Sequence, residues 1–250
     1  MRLPAAVRWH IKFREAKSKS EAEYIIQVIN LFQKRLKEKF SSILDVACGN
    51  GRLHPFLRRA GFDVTGIDNS KELIEEVKKS FPKFKDFYHL GDMRNFNLNK
   101  KFDVVLSWFT SFGYFESDRV NLKVLKNIAK HLRKNGIFLL DIPNAPIAAE
   151  RIVSNPNIIQ YADNFVEICN QRIETRKVTL WVLKQNFYIK RGRDLKFVKT
   201  EMKKVRIYSI PEITKMLKSA GLKTLKIFNS GTFEKVTEHD KQMLIVSRKL

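Results

Sequence analysis

The stretch Leu44-Asp-Val-Ala-Cys-Gly-Asn-Gly51 decides the fold, because it joins a short apolar strand to a glycine-rich turn. Gly49 and Gly51 allow positive φ angles and let the backbone pass close to a ligand. Free N–H groups at the start of the following helix can receive a carboxylate. A dinucleotide-binding enzyme would carry G-x-G-x-x-G, but His54 stands where the third glycine is expected. We interpret the segment as a ligand-binding turn, the alternative being a tight turn without function.

Strands and helices alternate on both sides of this turn. Strands are predicted at 42–47, 63–68, 86–90, 102–107 and 137–141, and helices at 20–36, 52–60, 69–80 and 118–133. Ser20 with Glu23 predicts a capping box for the first helix, and Asn69 predicts a cap for the third. The alternation predicts an α/β fold, with a Rossmann-like, seven-stranded, mostly parallel sheet that helices cover on both faces.

The character of the sequence changes between residues 146 and 208. Residues 171–208 carry twelve Lys or Arg against three Asp or Glu, a local net charge of +9. Apolar runs and the hairpin signal Arg191-Gly-Arg-Asp194 predict an inserted antiparallel β subdomain. We therefore expect an N-terminal helical cover (1–40), a ligand-binding core (41–145), a basic β-rich lid (146–208), and a last helix and strand pair (209–250) that completes the core.

Polar and aromatic residues follow each predicted strand, at the sheet edge where α/β proteins bind ligands. Asp68 ends the second strand 23 positions after Asp45, where a carboxylate can accept two ribose hydroxyls; capping of the next helix is the alternative. Asp92 and Met93 follow the third strand and can contact an adenine ring. After the fourth strand come Ser107, Trp108, Phe109 and Tyr114, and aromatic faces of this kind attract cations, although some of them are expected to pack in the core.

The segments LDVACGNGR, VTGIDNS, GDM, FDVVLSWFTSFGYF and LRKNGIFLLDIPN stand in an order that resembles class I S-adenosylmethionine-dependent methyltransferases. The resemblance covers about residues 41–145, and 211–250 fits the last helix and strand pair. It departs at Ala47, where the family usually has glycine. It implies S-adenosylmethionine as the cofactor, with S-adenosylhomocysteine as the product. The residues predicted to bind the cofactor are Asp45, Ala47, Cys48, Gly49, Asn50, Gly51, Asp68, Asn69, Asp92, Met93, Ser107, Trp108 and Phe109.

The β-rich insertion is similar to that of small-molecule methyltransferases such as the glycine and sarcosine N-methyltransferases, where it roofs the acceptor pocket. The resemblance therefore implies in-line methyl transfer to a nitrogen, oxygen or carbon of a small molecule. No side-chain base is required for this chemistry, and Tyr114 is the only candidate. Two alternatives stay open: an RNA methyltransferase that uses the basic insertion, and a non-enzymatic protein that binds the cofactor.

The amino-acid composition indicates which kinds of partner the protein can bind. Forty-eight Lys and Arg against 26 Asp and Glu give a net charge of +22, which attracts phosphate backbones or acidic substrates, unless it is only a lysine-rich solvated surface. We expect no membrane span, no signal peptide and no metal site, and the two cysteines do not suggest a disulfide framework. A cytoplasmic protein is predicted, and the sequence makes no prediction of oligomeric state.

Overall fold

The computed structural model of the chain describes residues 5–145, 157–160, 164–175 and 177–250. The strands are, in chain order, β1 (Ser42–Val46), β2 (Asp63–Asp68), β3 (Tyr88–Leu90), β4 (Phe102–Ser107), β5 (Leu132–Pro143), β6 (Asn157–Gln160), β7 (Phe165–Thr175), β8 (Thr179–Arg191), β9 (Asp194–Arg206), β10 (Leu222–Asn229) and β11 (Gln242–Lys249). The helices are α1 (Ala5–Leu36), α2 (His54–Arg59), α3 (Lys71–Ser80), α4 (Asp118–His131) and α5 (Ile210–Ser219).

A seven-stranded sheet with the order β10-β11-β5-β4-β1-β2-β3 forms the centre of the molecule. Strands β1 to β5 pair in parallel, and β11 pairs antiparallel with both β5 and β10. Every residue of β1 and β4 is buried, as expected for strands that are covered on both faces. The predicted Rossmann-like, mostly parallel sheet is confirmed.

Helices cover the two faces of this sheet with separate apolar clusters. On one face α1 packs through Ile25, Val28 and Phe32, together with Leu57 of α2. On the other face α4 and α5 pack through residues that include Leu125. The sheet lies between the two clusters. Because β2, β1 and β4 are parallel neighbours in it, the loops at their carboxyl ends meet at one edge.

A second sheet, with the antiparallel order β6-β7-β8-β9, is inserted between β5 and α5. The turn between β8 and β9 places Gly192 at a φ of 62°, as the hairpin signal predicted. The inserted antiparallel β subdomain is thus confirmed, while the exact domain limits stay a prediction. Within the described residues, no helix has the length and apolar content needed to cross a bilayer.

Two predicted helix starts are wrong. Ser20 lies inside α1, which begins at Ala5, and its hydroxyl donates to the Lys17 carbonyl at 3.0 Å rather than capping a helix end. In the third helix the cap is Ser70, whose hydroxyl accepts from Leu73 N at 3.3 Å, and Asn69 is exposed. The shift by one residue follows because the Asp68 carboxylate binds Ser70 N and holds Ser70 in the extended conformation of a cap.

Two predicted strand starts also differ from the structure. Residues Pro82–Phe87 form a 3₁₀ helix, so β3 begins only at Tyr88. β5 begins at Leu132, directly after α4, and includes a left-handed Asn135 with a φ of 66°. In both places the predicted strand start is wrong because the residue pattern does not show where the preceding helical segment ends.

Candidate functional site

The turn after β1 contains three left-handed residues, Ala47, Gly49 and Gly51, with φ angles of 63°, 57° and 67°. A Cβ atom at Gly49 would meet no atom within 4 Å, so this position faces open space. A Cβ atom at Gly51 would lie 2.9 Å from Val77 Cγ2 and 3.0 Å from a ring carbon of Tyr88. Gly49 therefore leaves room for a ligand, whereas Gly51 lets α3 and β3 pack against the turn. Glycine adopts the left-handed conformation of Ala47 without strain, which explains why the family that the sequence resembles usually has glycine at this position.

Asp45 is turned away from this open space and binds His54. The His54 Nε2 atom lies 3.0 Å from Asp45 Oδ2, and Nδ1 lies 3.2 Å from the Tyr88 hydroxyl. The His54 and Tyr88 rings stack at an interplanar angle of 5°, and Arg58 donates to the Tyr88 oxygen at 3.0 Å. His54, which stands where a dinucleotide-binding motif would have its third glycine, is fully buried. Asp45 is thus the buried partner of His54 beside the turn, and its contact with the cofactor stays a prediction.

Asp68 lies beside the open space over Gly49. Its Oδ2 accepts from Gly49 N and its Oδ1 accepts from Ser70 N, both at 2.9 Å. Burial raises the pKa of this carboxyl above its ordinary value, although the two backbone hydrogen bonds act in the opposite direction. Each carboxylate oxygen has a second lone pair. Asp68 thus fixes the glycine turn and keeps acceptor capacity for two neighbouring hydroxyls.

The end of β3 is joined to the same place. Gly91 N donates to the Asp68 carbonyl at 2.9 Å. The Asp92 carboxylate accepts from Arg94 Nε at 2.9 Å on both of its oxygens, and this pairing lowers the pKa of Asp92. Met93 is half-buried and packs against the core. Arg94, which sequence reasoning missed, therefore uses part of the acceptor capacity of Asp92.

The end of β4 forms the opposite wall. Ser107 and Trp108 are buried, whereas Phe109 is 42% exposed and Tyr114 48% exposed. The Arg52 guanidinium lies 5.6 Å from the centre of the Phe109 ring, so the loops after β1 and β4 face each other. Cys48, in the loop after β1, is buried against Ile74, Val77 and Tyr88. Burial raises the pKa of its thiol well above the ordinary range, which disfavours a nucleophilic role.

Helix α1 contributes a contact that sequence reasoning missed. Glu21 Oε2 accepts from Arg52 Nη2 at 2.6 Å and from Trp108 Nε1 at 3.1 Å. One carboxylate of α1 thus joins the loop after β1 to the loop after β4. The signal in the sequence was indirect: a buried Trp indole N–H needs an acceptor, but nothing in the pattern says which acid supplies it.

Residues 43–136 match a family model described as a methyltransferase domain. The N,N-dimethyltransferase of dTDP-3-amino-3,4,6-trideoxy-α-D-glucopyranose from Streptomyces venezuelae is 32% identical over 130 residues, which cover 52% of this chain and 53% of that protein. The glycine/sarcosine N-methyltransferase of Aphanothece halophytica is 26% identical over 166 residues, covering 64% of this chain and 58% of that protein. The chain thus spans little more than half the length of these relatives.

A solved S-adenosylmethionine-dependent methyltransferase from Clostridium acetobutylicum superposes with a TM-score of 0.78, covering 96% of this chain and 98% of that one at 22% identity. Residues 43–136 are therefore similar to a methyltransferase domain, and the fold of the chain is that of this solved S-adenosylmethionine-dependent methyltransferase. The relatives of the chain include methyltransferases named for small-molecule substrates.

Proposed function

We propose that the chain binds S-adenosylmethionine at the turn after β1 and transfers its methyl group to a small-molecule acceptor. The observation that carries the proposal is the meeting of the Asp68 carboxylate with the open space over Gly49. A ribose with two hydroxyls fits an acceptor of this kind, and a ligand can approach the backbone where no side chain intervenes. The other predicted cofactor contacts, which include Asn50, Asp92 and Ser107, remain part of this proposal.

The chemistry asks little of the side chains. When bound, S-adenosylmethionine supplies a methyl group on a sulfonium sulfur that is already activated for in-line displacement. The chain's own residues must align the acceptor and exclude water. Phe109 and Tyr114, in the loop after β4, are both exposed, and aromatic faces attract cations. Tyr114 is our candidate for contact with the acceptor.

We further propose that the acceptor atom is a nitrogen, because the Streptomyces and Aphanothece relatives are both named as N-methyltransferases. In this proposal the inserted sheet of β6 to β9 closes over the acceptor. We place the reaction in the cytoplasm, since Cys48 and Cys169 are both free and a reducing compartment keeps thiols in that state.

Calorimetry with S-adenosylhomocysteine tests the binding step. Asp68→Asn removes the charge that we assign to the ribose and should weaken binding at least tenfold. Asp63→Asn is the matched control, because Asp63 opens the same strand, is exposed and pairs with Lys100 at 3.0 Å. It should bind like the unmodified protein. Equal affinities for the two variants would refute the site.

Methyl transfer is tested with cofactor that carries a labelled methyl group, mixed with amines, amino sugars and bulk tRNA and rRNA. We expect label in an amine. Label in RNA would instead favour the basic insertion, with its net charge of +9 over residues 171–208, as a nucleic-acid surface. Tight cofactor binding without transfer to any fraction would indicate a protein that only binds the cofactor.

A further inference from the structure

Asp141, near the carboxyl end of β5, is a buried acid that the roles above leave unused. Its side chain is 2% exposed. Oδ1 accepts from the Ser230 hydroxyl at 2.6 Å, and Oδ2 accepts from Phe109 N at 3.0 Å and from the Gln242 side-chain amide at 3.1 Å. Three donors converge on one carboxyl group, which is the arrangement that suits an ionised carboxylate.

The residues that Asp141 holds are strained. Phe109 and Thr110 follow β4 with φ angles of 56° and 59°. A left-handed conformation is unfavourable for residues that carry a Cβ atom, and most of all for a β-branched threonine. Thr110 N donates to the Asp141 carbonyl at 3.1 Å, and the Gln242 amide also donates to Thr110 Oγ1 at 3.1 Å. Backbone and side-chain contacts of Asp141 and Gln242 therefore impose the strained pair, a situation typical of functional sites.

The strained pair stands where a ligand is expected. β4 and β1 are neighbours in the sheet, and the strand order reverses there, which opens a crevice at their carboxyl ends. The Phe109 ring projects from this turn toward the Arg52 guanidinium, 5.6 Å away, across that crevice. The conformation of Phe109 and Thr110 thus determines the shape of the β4 wall.

We infer that Asp141 is a positioning residue of the methyltransferase site: its carboxylate holds Phe109 and Thr110 in the conformation that shapes the wall facing the bound cofactor. The inference rests on the function proposed above. This positioning role makes ligand binding depend on the protonation of Asp141, because a protonated Asp141 accepts less well from Phe109 N.

The electrostatic surroundings support this sensitivity. Burial, with a smaller contribution from the Glu21 charge on α1, raises the pKa of Asp141 to about 6, although hydrogen bonds from Ser230, Gln242 and Phe109 N act to lower it. Tyr24, also on α1, is neutral near pH 6, and burial with the charge of Asp141 raises its pKa to about 12.

Hydrogen exchange in the ligand-free protein tests the positioning itself. Asp141→Asn should speed exchange of the segment that contains Phe109 N at pH 7.5. The matched control is Asp103→Asn, since Asp103 is a buried acid with several donors at the opposite end of β4. It should leave that segment unchanged. Exchange of Phe109 N that is the same in Asp141→Asn and the unmodified protein overturns the inference, whatever the ligand results are.

Affinity for S-adenosylhomocysteine as a function of pH tests the link to the site. If only the ionised form of a group with a pKa of about 6 supports binding, the Kd should rise about tenfold between pH 7.5 and 5.0. Asp141→Asn should bind weakly and lose most of this slope, the remainder being the titration of Asp68, whose pKa burial also raises. Asp103→Asn should keep the full slope. Ser230→Ala keeps the carboxylate but removes a hydrogen bond that lowers its pKa, so the midpoint should move to higher pH.

The outcomes separate the two proposals. A slope that persists undiminished in Asp141→Asn, or a midpoint that Ser230→Ala does not move, overturns the positioning role while binding itself stands. No binding at any pH by the unmodified protein refutes the proposed function, and the exchange experiment then still decides whether Asp141 holds Phe109.

Discussion

Replacing Gly49 by alanine should mainly weaken ligand binding, whereas the same change at Gly51 should destabilise the fold more strongly. Both residues are left-handed, with φ angles of 57° and 67°, so each alanine incurs a conformational cost of about 1–2 kcal/mol. At Gly49 nothing else is added, because no atom lies within 4 Å of the new methyl group. At Gly51 the methyl group would lie 2.9 Å from Val77 and 3.0 Å from Tyr88, and such overpacking adds about 1–3 kcal/mol.

These free energies translate into separable thermal shifts. For a chain of this size about 1 kcal/mol corresponds to roughly 2–4 °C. Gly49→Ala should therefore lower Tm by about 2–8 °C, and Gly51→Ala, which carries both costs, by roughly 4–20 °C. Scanning fluorimetry measures both shifts, and calorimetry with S-adenosylhomocysteine measures binding at a temperature where both variants are folded.

The ligand result decides the interpretation of the open space. Gly49→Ala should weaken binding of S-adenosylhomocysteine at least tenfold, because its methyl group occupies space that we assign to the cofactor. Unchanged affinity in Gly49→Ala would refute that assignment, and an unchanged Tm in Gly51→Ala would refute the packing argument.

Three further predictions concern acids and bases around the site. Because the pKa of Asp141 is raised to about 6 in the folded protein, its contribution to stability is present below about pH 4 and is lost as the pH rises through about 6. In urea unfolding, the free energy of unfolding of Asp141→Asn should gain up to about 3 kcal/mol relative to the unmodified protein between pH 4 and 7, and a constant difference would contradict this. The Arg206 side chain is 2% exposed and pairs with Asp118 and Glu212, so Arg206→Met should lower the free energy of unfolding by about 2–3 kcal/mol, measured in the same way. Full stability in Arg206→Lys, which keeps the charge, would argue against a role of the guanidinium geometry. Glu21→Gln weakens the acceptor for the Trp108 indole and should shift its fluorescence, which an unaltered spectrum would disprove.

The sequence predicted the sheet well because its strands are short, apolar and clearly bounded. β2 and β4 begin and end at the predicted residues. The start of α1 was missed because polar residues such as Lys17 continue a helix as readily as they precede one, and Ser20 can bond within the helix as well as cap it.

The polar partners inside the site were harder to predict. Asp141 binds Ser230 and Gln242, about ninety and one hundred positions away, and no local pattern links residues so far apart. The burial of His54 between Asp45 and Tyr88 likewise depends on how α2 and β3 pack. Motif spacing predicts the edge of the sheet where we propose the site, but only tertiary structure shows which polar groups lie together there.

The contact from Glu21 has a consequence for how such a site diverges. α1 lies outside residues 43–136, the stretch that matches the methyltransferase domain, yet one of its carboxylates ties Arg52 to Trp108. Exchanging α1 between relatives would therefore transplant part of the crevice wall without altering a single glycine of the turn. In a protein of this design, changes in α1 can alter selectivity for ligands while the glycine turn after β1 stays constant.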